Sequence, residues 1–84
     1  MEKLQKVLTL LNNAKVQQKR STLLAAIELK NHTDNANRYI APLIDAGLID
    51  LTIKDKPQSQ NQRYIITTKG LQLLNAISSS SNSF

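Results

Sequence analysis

Apolar residues in the first part of the chain recur with a helical period. Leu4, Val7, Leu8 and Leu11 stand at i, i+3, i+4 and i+7, with Glu2, Lys3, Gln5 and Lys6 on the other side. That spacing predicts an amphipathic helix stopping at Asn12-Asn13, with Leu10 off its stripe. Ala14 to Gln18 reads as a connector. Ser21 or Thr22 is placed to cap a second helix running to Ile27 or Leu29, with Leu23, Leu24, Ile27 and Ala26 toward the core. Asn31 to Asn35 is a cluster of turn and capping residues, within which Asn31 and Thr33 read as caps. Beyond it Ala36, Ile40, Leu43 and Ile44 resume the helical spacing until Gly47 ends it in the left-handed C′ position. Pro42 lies inside this third helix and lacks the N–H that would bond the Arg38 carbonyl. The expectation is a kink near Arg38 rather than a boundary between two shorter pieces.

After Gly47 the period changes from 3.6 to 2. Ile49, Leu51 and Ile53 alternate with Asp50, Thr52 and Lys54, the pattern of a half-buried strand. Its partner is Arg63 to Thr67, with Tyr64 and Ile66 inward. The polar stretch Asp55 to Gln62 between them is too long for a two-residue turn and is expected to protrude. Thr67 or Thr68 caps a last helix with Leu71, Leu74 and Ile77 on one stripe, and Gly70 in its first turn lets that turn approach a strand closely. Residues 1–77 form one domain in this reading, and 78–84 a serine-rich tail that frays.

The expected fold class is therefore α+β: three helices, a two-stranded β-hairpin and a C-terminal helix, the order of a small winged helix-turn-helix domain. The run Tyr39-Ile40-Ala41-Pro42-Leu43-Ile44-Asp45-Ala46-Gly47-Leu48-Ile49, the wing residues Asp55-Lys56-Pro57, Ser59, Asn61-Gln62 and Tyr64, and Thr67-Thr68-Lys69-Gly70 resemble winged-helix regulators. Over about 32 residues they are similar to the C-terminal winged-helix domain of Fic-family proteins and of bacterial proteins with an AlbA-type DNA-binding domain. The Fic catalytic signature, a histidine followed by an acidic residue and a G-N-G-R segment, is missing here. His32 is followed by Thr33-Asp34-Asn35, so no AMP-transferring activity carries over. The resemblance implies a detached C-terminal module or a free-standing relative.

Composition narrows the chemistry. Eighty-four residues make one small domain, and with 40% apolar and 20% charged residues the chain should fold. It has one histidine, two glycines and no cysteine, which leaves no material for a thiol nucleophile, a His- or Cys-based metal site or a glycine-rich phosphate loop. No enzyme activity, metal or cofactor is expected. Ser21, His32 and Asp34 follow no catalytic spacing, and capping accounts for Ser21 and Asp34. No apolar run is long enough to span a bilayer and no signal peptide is visible, so a cytoplasmic protein without membrane contact is expected.

Eleven Lys and Arg against six Asp and Glu leave a formal charge of +5, which favours a polyanionic partner. On the winged-helix plan the third helix enters the major groove of double-stranded DNA. There Asn35, Asn37 and Arg38 either read base edges or form only a solvated face. Lys19, Arg20, Lys30, Lys54, Lys56 and Arg63 are the candidates for phosphate contact. Residues 33–47, however, carry a net −1, Arg38 against Asp34 and Asp45. A second reading, docking on a partner domain or protein, therefore stays open. Tyr64 reads as core rather than as a stacking platform, and with three aromatic residues single-stranded nucleic acid is disfavoured. A homodimer would form through Leu10 or through residues of the last helix such as Leu73.

Overall fold

The structure, a computed structural model, describes residues 2–81. Helix α1 (Lys3–Asn13) leads into α2 (Arg20–Ala26), α3 (Thr33–Tyr39) and α4 (Ala41–Asp45); the hairpin β1 (Ile49–Leu51) and β2 (Tyr64–Ile66) follows, then α5 (Thr68–Ser81). The class is α+β, and the arrangement is compatible with a small winged-helix-like fold. Among the described residues no helix is long and apolar enough to cross a membrane.

In α1 the stripe that is buried is not the one that starts at Leu4. Leu10, Leu11 and Ala14 are wholly buried, whereas Leu4 is 60% exposed. Val7, Leu10, Leu11 and Ala14 also fit i, i+3, i+4 and i+7, so two apolar stripes overlap on this helix. The wholly buried residues all lie in its last turn and C-cap, and packing there selects the stripe. Leu10 is thereby removed as a dimer contact. The stretch after α1 is more than a connector: Gln18 and Tyr64 exchange backbone bonds at 3.0 and 2.8 Å, and the Ile66 N–H reaches the Ala14 carbonyl at 2.8 Å. Residues 14–18 thus cover the edge of β2 that β1 leaves open.

Helix α2 begins two or three residues earlier than its hydroxyls suggest. Lys19 is its N-cap and makes no side-chain cap bond, so neither Ser21 nor Thr22 caps it, and Arg20 is inside the helix rather than before it. Its C-terminus closes by bonds from Leu29 N–H to Leu24 and from Glu28 N–H to Ala25, at 2.9 and 3.0 Å. This geometry puts Glu28 at φ 63°, in the left-handed region that costs a side-chain-bearing residue. Glu28→Gly is therefore expected to stabilise the protein by about 0.5–1 kcal/mol, the relieved backbone strain exceeding the entropy lost by glycine. A urea midpoint measured beside Glu28→Ala, which keeps the strain, checks this.

The third helix of the sequence reading is two helices. Ile40 closes α3 by donating to the Ala36 carbonyl at 2.9 Å, and its own carbonyl accepts from Leu43 and Ile44 at 3.0 and 3.2 Å to start α4. Pro42 falls in the first turn of α4, where a missing N–H costs nothing. The expected kink is thus a boundary. Gly47 ends α4 as expected, at φ 76°, with its N–H on Ile44 and that of Leu48 on Leu43 at 3.0 and 2.9 Å.

The hairpin is antiparallel with Ile49 opposite Ile66 and Leu51 opposite Tyr64. It is shorter than the alternation suggests, because Ile53 leaves the ladder and bonds a side chain of the loop instead. At the outer edge the Asp50 carboxylate accepts the Leu51 N–H at 2.9 Å and holds Lys54 at 3.1 Å. The Lys54 ammonium first, and that N–H second, keep its carboxyl below the usual carboxylate range. Thr67 caps α5 through its hydroxyl, which accepts the Gly70 N–H at 3.0 Å and donates to the Gly47 carbonyl at 2.6 Å. On α5 Leu74 is buried while Leu71 is left 36% exposed. The helix continues to Ser81, past the boundary read at Ile77, and residues 82–84 of the expected tail lie outside the described residues.

Candidate nucleic-acid interface

The turn before α3 is organised by three side chains, each tied to a different neighbour. His32 is the N-cap, its Nδ1 accepting the Asp34 N–H at 3.1 Å; the cap is therefore none of Asn31, Thr33 and Asp34. Asn31 instead accepts the Nε–H of Arg20 at 2.8 Å, which joins the start of α2 to the turn. Asn35 donates to the Lys30 carbonyl at 2.9 Å and is half-buried. Asp34, at the start of α3, has a side chain 83% exposed.

These ties shape a groove of about 660 Å³ between α2, α3 and the hairpin loop. Ala36, Ile40, Ile44 and Tyr64 give it an apolar floor; Lys19 and Arg20 from the start of α2, Asn37 from α3 and Pro57 to Gln60 from the loop complete its lining. Two cations and no carboxylate line it. The loop therefore does not simply protrude from the hairpin, because its tip turns back to wall this groove. Tyr64 packs against the core as expected and shows its remaining surface in the groove floor.

Of the nine residues singled out for DNA, three come together at this groove: Lys19, Arg20 and Asn37. Lys56 precedes the loop tip and is exposed. Lys30, Asn35, Arg38, Lys54 and Arg63 do not line the groove. Lys54 is held by Asp50, and Arg63 is exposed on the hairpin stem, where its N–H meets the Thr52 hydroxyl at 3.2 Å. Arg38 is exposed beside Tyr39, where a second cationic cluster forms. The Lys6 ammonium lies 3.4 Å from the Tyr39 hydroxyl and 4.9 Å from its ring centre. The hydrogen bond from Lys6 chiefly, with Arg38 contributing, lowers the phenol below its usual value. Among the described residues no group of His, Asp and Glu could hold a metal ion.

Sequence reasoning missed Gln62. It is the one buried polar side chain among the described residues, 6% exposed. Its Oε1 accepts the Ile53 N–H at 2.9 Å, and its amide donates to the carbonyls of Ile53, Lys56 and Pro57 at 2.6, 3.2 and 3.3 Å. A signal existed: Gln62 is in phase with the inward Tyr64 and Ile66, and a polar residue on an inward position needs internal partners. Leu73, the other dimer contact read from the sequence, is 37% exposed.

Compared with known proteins, residues 2–67 match the family model described as Filamentation induced by cAMP protein Fic-like, C-terminal domain. No curated protein and no solved structure matches the chain.

Proposed function

The chain belongs to the family of Fic-like C-terminal domains, and on that footing we propose that it is a non-catalytic, cytoplasmic winged-helix appendage that binds double-stranded DNA. The observation that carries this reading is the groove, with two cations, no carboxylate and the exposed Asn37 of α3 in its lining. Lys19 and Arg20 stand where one phosphate backbone would run along the start of α2. Arg20 has its Nε held by Asn31, so the rest of its guanidinium is presented without loss of further freedom. Lys30, Lys56 and Arg63, all exposed, extend the same charge beyond the groove.

One observation favours docking on a partner domain instead. Asp34 and Asp45 lie exposed on α3 and α4, and Asn35 is committed to the Lys30 carbonyl, which weakens base reading by this face. Binding to a random duplex of about 20 base pairs, followed by anisotropy over a range of salt, separates the readings. For DNA binding, the log–log slope is expected at about −3 to −5, flattening by about 1–2 in the Lys19→Ala/Lys56→Ala variant. Absence of binding at low salt, despite the positive charge, would transfer the function to a protein partner.

A further inference from the structure

The loop between β1 and β2 has little of its own to hold it. Within it the backbone closes only short turns, Ser59 N–H to Lys56 and Gln62 N–H to Ser59, both at 3.0 Å. Neither of the two ion pairs among the described residues reaches past Lys54. What ties the loop to the strands is a single side chain. Gln62 takes the N–H and carbonyl of Ile53, where the chain leaves β1, and the carbonyls of Lys56 and Pro57, where it turns. An amide buried this far is costly unless its donors and acceptor are used, so the bonds and the burial sustain each other.

We propose that Gln62 is the positioning residue of the wing. By binding the Lys56 and Pro57 carbonyls it sets where the Lys56 ammonium stands, and it holds Pro57 to Gln60 in the lining of the groove before any partner arrives. The consequence for DNA rests on the reading above: a wing ordered in advance does not have to be ordered on binding. Gln62 itself need touch no nucleic acid. Its influence passes through the backbone of the loop, and its substitution should therefore act through Lys56 rather than beside it.

The test has two arms. In the unaltered protein the Gln62 side-chain amide protons should exchange slowly with solvent, at rates near those of the Tyr64 and Ile66 backbone amides; free exchange of that side chain overturns the proposal without any mutation. In Gln62→Met, similar in length but without a hydrogen-bonding amide, Ile53 and Ser59 amides should exchange about tenfold faster while Tyr64 and Ile66 stay protected. Duplex affinity should fall about five- to tenfold, and Lys56→Ala should cost little further in the Gln62→Met background. Fully additive losses would show that Gln62 does not act through the wing. If the wild-type chain binds no duplex, the DNA reading fails, and the exchange data decide alone whether Gln62 holds the loop.

Discussion

Gly70→Ala should destabilise the protein by about 3 kcal/mol or more, the largest effect expected of removing or adding a single methyl group here. Gly70 sits in the first turn of α5 with an ordinary backbone conformation, so the reason is contact and not flexibility. A Cβ at this position would collide with the Leu48 carbonyl oxygen and stand 2.7 Å from Ile66 Cγ1. The carbonyl cannot yield. It accepts the Thr67 N–H at 3.0 Å, and the Leu48 N–H is itself bound to Leu43 at 2.9 Å as part of the close of α4. Relief would have to come from lifting α5, which would strain the Thr67 hydroxyl on Gly47 and the Lys69 ammonium on the Ala46 carbonyl, 2.6 and 2.8 Å away. Urea unfolding, read by far-ultraviolet dichroism, checks the prediction. A loss below about 1 kcal/mol would mean that α5 shifts freely and contributes little to the core.

The second large effect separates two leucines of one helix. Leu10→Ala should cost about 3–5 kcal/mol, whereas Leu4→Ala should change stability by less than about 0.5 kcal/mol. Leu10 is wholly buried in the cluster that includes Leu24, Ile27 and Ile49, and its truncation leaves a void that close-packed neighbours cannot fill. Leu4 is 60% exposed, so truncation removes surface that water already covers. Equal effects at both positions would indicate that α1 is rotated from the orientation described.

Periodicity places Leu4 in the core and Leu10 outside it, the reverse of what packing does, and the reason is instructive. Along α1 the residues at 4, 7, 8 and 11 and those at 7, 10, 11 and 14 satisfy the same spacing. A helix by itself does not choose between overlapping stripes. The choice comes from the tertiary packing around its C-terminal end, where Leu10, Leu11 and Ala14 are wholly buried. Pro42 follows the same logic. Its chemistry demanded an interruption in the run from Ala36 to Ile44, but the carbonyl of Ile40 could start a new helix or continue a bent one, and the structure shows the former.

The candidate site divides likewise. Lys19, Arg20 and Asn37 were legible as polar or basic residues flanking a helix-turn-helix pattern, and the structure brings them to one groove. The direction of the loop was not legible, because its polar composition is equally that of a solvated tip. Gln62, which sets that direction, looks like any other glutamine in the loop until its burial is known. His32 as the cap of α3 was hidden for a similar reason: Asn31, Thr33 and Asp34 surround it, and several of these residue types serve as caps.

What the sequence alone determined is the set of elements whose cause is local. The change from a period of 3.6 to one of 2 after Gly47, the left-handed stop at that glycine and a threonine cap at the start of the last helix each follow from the covalent nature of a few neighbouring residues. Only the tertiary structure decided which stripe of α1 is inside, where the third helix divides, how residues 14–18 cover β2 and which way the wing turns. Each of those outcomes compares alternatives of similar local energy, and the balance is tipped by contacts between residues far apart in the chain: Ala14 with Ile66, Gln18 with Tyr64, Arg20 with Asn31 and Leu48 with Gly70.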